Sequence, residues 1–349
     1  MTKGTQPSEG ASQRAPASEE RTERMPPGQE HSEIFEAERT RLTAAAYRML
    51  GSWAEAEDAV QDAWLRFSQA DLVAIREPRA WLTTVVGRIC LDVLRSARVR
   101  REAYVGPWLP EPLVQRLPAD DTAGPDPATL VTEREEISMA LLVVLERLTP
   151  EQRVAFVLHD VFAVPFTEIA ATLSTTPEAA RQLASRARHA VENGHRARQP
   201  ATRDEQRRVV AAFLAAAQSG DFEALLAVLA PDVVLTGDGG GFVPAGRHPI
   251  VGAEQGARFL LGLFRRAQAE GVVDFTPVLV NGQVGLLGEV RPAEGEAMPA
   301  FLGNVGDVLR FVMAFSVVDG RIVALYDQVN PHKLGAVPPM AELRSGRPG

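Results

Sequence analysis

Residues 166–191, FTEIAATLSTTPEAARQLASRARHAV, constrain this chain more than any other stretch. They read as two short helices around a tight turn. In the first helix Ile169, Ala170 and Leu173 share one apolar face. Ser174, Thr175 and Thr176 interrupt the pattern. Thr176 is suited to cap a second helix, Pro177 to its first turn and Glu178 to its positive end. Along that second helix Ala180, Leu183, Ala187 and Val191 face inward. Arg181, Gln182, Ser185, Arg186 and Arg188 face out, with side chains suited to base edges and phosphates. This is the pattern of a helix-turn-helix whose second helix enters the major groove.

The rest of the chain must accommodate that element. A length of 349 residues predicts two or three domains, and 45% hydrophobic residues supply their cores. The net charge of −8 excludes a uniformly basic DNA binder. The charge is segregated, however. Arg88, Arg95, Arg98, Arg100 and Arg101 form one basic cluster, and Arg181, Arg186, Arg188, Arg196 and Arg198 another. Local basic patches on an acidic chain fit selective contact with nucleic acid plus a protein partner. The single cysteine, Cys90, excludes an intrachain disulfide and a multi-cysteine metal site, and its apolar helical surroundings predict a buried thiol. No metal or cofactor is expected. Neither a signal peptide nor a long apolar segment is evident, so the expectation is a cytoplasmic protein with no membrane association.

Residues 1–31 are rich in Ser, Gly, Pro, Gln and Glu and read as a disordered tail. Residues 32–102 are strongly helical. Phe35, Leu42, Ala46, Met49 and Leu50 recur near helical spacing, and Gly51-Ser52 ends the first helix. The next, AEAEDAVQDAWLRF, buries Ala56, Ala59, Val60, Ala63, Trp64 and Phe67 and crowds Glu55, Glu57, Asp58, Gln61 and Asp62 on its other side. A third, from Arg79, carries Trp81, Leu82, Val85, Ile89, Leu91 and Leu94 inward and turns basic at its far end, where it is suited to hold a DNA strand by its phosphates.

These three segments, FEAERTRLTAAAYRMLGS, AEAEDAVQDAWLRF and PRAWLTTVVGRICLDVLRSARVRRE, together resemble region 2 of a bacterial sigma factor of the extracytoplasmic-function (ECF) type. The helix-turn-helix, preceded by ALLVVLERLTPEQRVAFVLHDVFAVPF, resembles sigma region 4, over residues 133–199. The resemblance implies that core RNA polymerase is the protein partner. Glu57, Asp58, Gln61, Asp62 and Trp64 would dock on the β′ coiled coil, and region 4 would meet the β flap. The segment holding Arg88, Arg95 and Arg98 would recognise and help open the −10 promoter element. Arg181, Gln182, Ser185, Arg186 and Arg188 would read the −35 element. Trp81 is a candidate for base stacking, though its place on the apolar stripe favours packed core.

Between the two regions, residues 103–132 hold six prolines and read as a stiff linker. Within it, Trp108, Leu109 and Pro110 belong to a WLPEP run, an apolar anchor beside prolines. This run resembles the linker motif of one ECF group that carries a fused C-terminal SnoaL-like domain. Two further runs resemble motifs of that group: Asp238, Gly239, Gly240 and Gly241, and then Asn330, Pro331, His332, Lys333 and Leu334, where His332 departs from the group's NPDKL by replacing Asp. That departure puts any contact of the Asp charge in doubt here. An interdomain, regulatory role is expected for all three runs, Trp108, Leu109 and Pro110 included.

The C-terminal part reads as an α+β domain over residues 204–335, with a tail over 336–349. An amphipathic helix pair spans residues 206–229, with Pro231 as its stop, and another helix spans 252–270. Strands are expected over 233–236, 272–280, 284–290, 308–317 and 322–327, with hairpin turns at Gly282-Gln283 and Asp319-Gly320. Helices followed by a curved antiparallel sheet give the fold class; the cone shape comes from the resemblance to SnoaL-like proteins. Such cones hold ligand pockets, and Asp238, His248, Asp307, Tyr326 and Asp327 are polar candidates near strand ends. Nothing in the sequence places two of them together for acid–base catalysis. The expectation is therefore a non-enzymatic sigma factor regulated in cis by its fused domain, with a small-molecule ligand open. The alternative is a helix-turn-helix regulator with a ligand-sensing or enzymatic C-terminal domain.

Overall fold

The computed structural model describes residues 29–102, 104–118, 137–194, 201–292, 298 and 308–345. Of the expected tail, residues 1–28 lie outside this set, as do Arg196 and Arg198 and the side chain of Arg98. The chain forms α1 (Gln29–Leu50), α2 (Trp53–Phe67) and α3 (Pro78–Glu102), then α4 (Met139–Leu145), α5 (Pro150–Phe156), α6 (Phe166–Leu173) and α7 (Pro177–Gly194). The local signals account for the boundaries. Gly51, at φ +71°, ends α1, and the Ser52 hydroxyl caps α2 by accepting from the Glu55 amide. Thr149 and Gln152 form a capping box with Pro150 at the start of α5. Ser174, at φ 53°, makes the turn between α6 and α7, and Thr176 accepts from the Ala179 amide to cap α7.

The two helical regions share one apolar core. Phe35, Phe67 and Leu82 of the first region belong to the same cluster of buried residues as Val154, Ile169 and Ala184 of the second. Close approach of α3 to α6 depends on Gly87: a Cβ there would lie 2.8 Å from the Thr172 methyl. The buried Arg153 of α5 ties the regions again. Its guanidinium donates to the Leu145 carbonyl and, at 2.7 Å, to the Met49 carbonyl at the end of α1, and pairs with Glu146 at 2.6 Å.

The C-terminal part adds α8 (Arg203–Ser219), α9 (Phe222–Val228), α10 (Ala253–Glu270) and α11 (Met340–Ser345) around a seven-stranded sheet of order β1-β4-β5-β6-β7-β2-β3. Its strands are β1 (Val114–Arg116), β2 (Leu229–Asp238), β3 (Ile250–Val251), β4 (Gly271–Val280), β5 (Gln283–Pro292), β6 (Leu309–Val318) and β7 (Arg321–Gln328). Phe213, Leu225, Leu260 and Phe315 bury one face of the sheet under the helices.

The α+β reading holds, with five differences. The sheet is mixed, because β2 runs parallel to β7 while the other ladders are antiparallel. Pro231 lies inside the irregular start of β2, where the register against β7 shifts and no ladder N–H is needed. The first hairpin turns at Asn281-Gly282, one residue earlier than expected, with both residues at positive φ as a type I′ turn requires. The expected C-terminal tail contains α11, which buries Met340 and Leu343 against Val114 and Val278; two apolar residues among prolines gave too short a pattern to read.

The largest difference concerns the linker. Residues Val114, Gln115 and Arg116 pair antiparallel with Val280, Leu279 and Val278, so the connection between the two helical regions is an edge strand of the C-terminal sheet. Three residues between Pro112 and Pro118 are too few to show a strand period. The pairing is supplied by the open edge of β4.

Candidate functional site

The three motif runs of the sequence meet at one point. Asp238, at the end of β2, is fully buried. Its Oδ1 accepts from the Tyr104 hydroxyl at 2.6 Å and from the Gly240 amide at 3.0 Å. Its Oδ2 accepts from the Leu109 amide at 2.8 Å, from Lys333 Nζ at 2.7 Å and from Gln328 Nε2 at 3.4 Å. A buried carboxylate is stable only with this kind of provision, because each donor replaces lost water.

Lys333 completes the latch. Its ammonium also donates to the Leu109 carbonyl at 2.6 Å and sits 3.8 Å from the centre of the Trp108 ring and 5.0 Å from that of Tyr104. Gln328 reaches the Leu109 and Pro110 carbonyls. The linker backbone at Leu109 is thus held at both its amide and its carbonyl by C-terminal side chains. Pro331 opens the short 3-10 turn Pro331–Lys333 that presents Lys333, and the Asn330 side chain caps it by accepting from the His332 amide. Asn330 Nδ2 donates to Tyr104. Leu334 anchors the turn in the cluster of Val337 and Met340.

The glycine run has a packing reason. A Cβ on Gly239 would overlap the Val243 carbonyl at 1.9 Å, and one on Gly240 would lie 2.3 Å from the Asn330 amide nitrogen. Gly241 abuts Val105. The His332 ring packs against Phe242, with centroids 4.4 Å apart, so the charged contact of the latch is made by Lys333 with His present at 332.

A second group of contacts fastens the linker to the first helical region. Trp108 packs over Gly51. Glu111 accepts from the Ser52 hydroxyl and from the Trp53 amide, both at 2.7 Å, which places a carboxylate at the N-terminus of α2. Its backbone accepts from the Tyr47 hydroxyl, which in turn receives Asn281 Nδ2 from the β4–β5 turn. Tyr104, Gln328, Asn281 and Tyr47 carry no motif signature. Glu111 lies inside the WLPEP run, and that placement is the one hint the sequence offers of its contact.

The other expected surfaces are separate from the latch. Glu57, Asp58, Gln61 and Asp62 are exposed on α2, and Trp64 is half-buried against Phe35. Arg181, Gln182, Ser185, Arg186 and Arg188 are all exposed on α7. Trp81 is half-buried, 5.6 Å from Phe67, in line with packed core. Two arginines of α3 are engaged within the chain. Arg88 donates to the Ala171 carbonyl of α6 at 2.7 Å, and Arg95 donates to Glu151 of α5 from two nitrogens. Arg188 pairs with Asp160 at 2.5 Å.

Among the described residues no group of three or more His, Cys, Asp or Glu is arranged to hold a metal, and no helix is long and apolar enough to cross a membrane. Burial pushes the thiol of Cys90 and the hydroxyl of Tyr47 far above their ordinary values, and the carboxyl of Asp327 up to about 7.

An acid-faced helix, a helix bearing arginines and a helix-turn-helix on one shared core, strapped to an α+β domain, define a two-region helix-turn-helix protein with a fused accessory domain. Comparison with known proteins agrees. Residues 34–100 match the model of Sigma-70 region 2, residues 138–191 that of Sigma-70, region 4, and residues 210–325 that of the SnoaL-like domain. The chain is 45% identical over 310 residues to the ECF RNA polymerase sigma factor SigJ of Mycobacterium tuberculosis strain H37Rv, covering 87% of this chain and 93% of that protein. It is 34% identical over 317 residues to the probable ECF RNA polymerase sigma factor SigI of the same organism, covering 90% and 98%. The crystal structure of SigJ superposes with a TM-score of 0.69 at 41% identity, over 88% of this chain and 99% of that one. The chain belongs to the ECF sigma factors of the sigma-70 family, with a fused C-terminal SnoaL-like domain.

Proposed function

We propose that this sigma factor is restrained in cis by its SnoaL-like domain, which holds the two sigma regions closed through the linker. One observation carries the reading: the connection between regions 2 and 4 is both an edge strand of the C-terminal sheet and the object of the Asp238–Lys333 latch. Separating the regions requires breaking that strand pairing and uncovering a buried ion pair.

The partners follow from the surfaces. The exposed Glu57, Asp58, Gln61 and Asp62, with Trp64 beside them, dock on the β′ coiled coil of core RNA polymerase, and region 4 meets the β flap. Arg88, Arg95 and Arg98 contact the −10 element. Arg181, Gln182, Ser185, Arg186 and Arg188 contact the −35 element. Arg88, Arg95 and Arg188 have partners within the chain, so those partners must release them before they hold phosphates. The factor acts in the cytoplasm, without covalent chemistry of its own.

The test is in vitro transcription with purified core polymerase, comparing the full chain with Lys333→Met and Asp238→Asn. Point variants are preferred to a cut near Arg203, which would strip β1 of its partner strand. Promoter-specific transcription that rises in the latch variants supports restraint. Transcription that is unchanged while the linker is released, as read by hydrogen exchange, sinks it.

A further inference from the structure

The connection from α5 to α6 departs from regular backbone twice. Val157–Val161 forms a turn of π-helix, in which the Phe162 amide donates to the Val157 carbonyl at 3.2 Å. The extra residue of such a turn rotates the side chains that follow by about 100° relative to an α-helix. Ala163 then takes the left-handed region, at φ 53°, which a residue with a Cβ adopts only at a cost. Backbone outliers of this kind persist where the surrounding structure has a use for them.

The use lies on α7. The ring of His159, inside the π turn, packs on Phe166, the first residue of α6, with centroids 3.9 Å apart and planes at 31°. His159 Nδ1 lies 3.1 Å from the Val164 carbonyl. A carbonyl only accepts, so Nδ1 carries the proton and donates, which ties the imidazole down. The Phe166 ring in turn holds the Arg181 guanidinium, whose central carbon lies 5.3 Å from the ring centroid. Asp160, the next residue of the π turn, pairs with Arg188. Arg181 and Arg188 are about two helical turns apart and share one face of α7.

The connection therefore reaches both arginines, but by different chemistry. The Asp160 carboxylate takes N–H donors of Arg188. A ring face takes none: it fixes the plane of the Arg181 guanidinium and leaves the fork of donors to another partner. A fixed fork suits a planar pair of acceptors, and in the major groove that pair is O6 and N7 of guanine. Arg181 is exposed and lies near the N-terminus of α7, the part of a recognition helix that meets base edges. An exposed arginine otherwise spreads over many rotamers, and stacking removes part of the entropy lost when it binds.

We propose that Phe166 and His159 are positioning residues that pre-orient Arg181 toward one guanine of the −35 element, and so set specificity at a single base pair. The proposal rests on the reading that α7 contacts that element.

The experiment is a binding selection. Holoenzyme assembled from core polymerase and the full chain is mixed with a duplex pool randomised across the −35 region, and the bound duplexes are sequenced. The parent should show a guanine preference that Arg181→Ala lowers by about tenfold or more at one position. Phe166→Leu should lower that same preference by about two- to fivefold, the worth of an exposed cation–π contact, and leave the other positions unchanged. Phe166→Tyr keeps the ring and should behave as the parent. His159→Leu should act at the same position and in the same direction. Phe166→Leu should add nothing once Arg181→Ala is present. A purely structural defect would weaken all positions together. A profile untouched by Arg181→Ala refutes the reading of α7, and the proposal falls with it. A preference that Arg181→Ala removes but Phe166→Leu or His159→Leu leaves intact, or a Phe166→Leu loss spread over every position, overturns the proposal alone.

Discussion

Lys333 Nζ lies 2.7 Å from Asp238 Oδ2, and both are drawn around the backbone of Leu109, which the lysine meets at the carbonyl and the aspartate at the amide. The pair is nearly dry: Asp238 has no exposed surface and the Lys333 side chain is 9% exposed. Removing one partner strands the other as a buried charge. Lys333→Met should therefore cost about 3–5 kcal/mol, far more than an exposed pair would. Amide exchange at Leu109 and across β1 should accelerate with it. Pairing Lys333→Met with Asp238→Asn should recover part of the loss, since no charge then remains unpaired; simple additivity of the two losses would refute the coupling.

Glu111 offers a second handle on the linker. Its carboxylate receives the Ser52 hydroxyl and the Trp53 amide at the positive end of α2. Glu111→Ala removes both bonds and the favourable charge, at an expected cost of about 1–2 kcal/mol. Glu111→Gln keeps an acceptor and should restore about half. Thermal melting gives the magnitude, and exchange of the first-turn amides of α2 gives the location. A melt unchanged by Glu111→Ala would show that the contact adds nothing.

These two contacts show where the sequence is legible and where it is not. Helices α1 to α3 and the helix-turn-helix were readable because apolar spacing and boundary residues such as Gly51, Ser52 and Thr176 act within a few residues. The hairpin at Asp319-Gly320 was readable for the same reason, both residues having the positive φ the turn demands. The latch motifs were visible as runs, yet their geometry was not: Leu109 meets Asp238 across 129 positions. Tyr104 and Gln328 leave no local trace, because their role exists only once β2, β7 and the linker converge. The parallel pairing of β2 with β7 and the addition of β1 are likewise choices of the whole sheet.

The acidic partners of the basic helices set a third expectation. Arg95 donates twice to Glu151, and Arg188 pairs with Asp160. Each acid both occupies a guanidinium and adds charge that repels phosphate. Glu151→Gln with Asp160→Asn should tighten binding to a promoter duplex at low salt and steepen the dependence of log K on log salt by about 1 to 2. Fluorescence anisotropy over a salt series measures this directly. An unchanged slope would mean that these arginines make no phosphate contact.

Cys90 is fully buried in the core shared by regions 2 and 4, and burial raises its thiol well above the ordinary value. Only the thiolate attacks, so the native chain should resist a disulfide reagent such as 5,5′-dithiobis(2-nitrobenzoate) at pH 8. Reactivity should appear over the same urea range as loss of helical circular dichroism. Rapid labelling without denaturant would show that the two-region core opens readily.

Asp327 makes stability depend on pH in a direction opposite to that of most carboxylates. Its folded value of about 7, raised by burial, lies above the value of about 3.9 for an unfolded chain. Below both values the carboxyl is protonated in either state and contributes no difference. Between them the unfolded chain releases the proton while the folded chain keeps it, so unfolding gains as pH rises. Above about 7 both states are ionised and the penalty is constant. Stability of the SnoaL-like domain should thus fall between pH 4 and pH 7 and level off beyond, by on the order of 2–4 kcal/mol for this one group. Asp327→Asn cannot ionise. It should be the more stable chain at pH 8 and match the parent near pH 4, with the intervening slope correspondingly reduced. Urea titrations at fixed pH values across that range decide it, and parallel curves for parent and variant would place the Asp327 proton elsewhere.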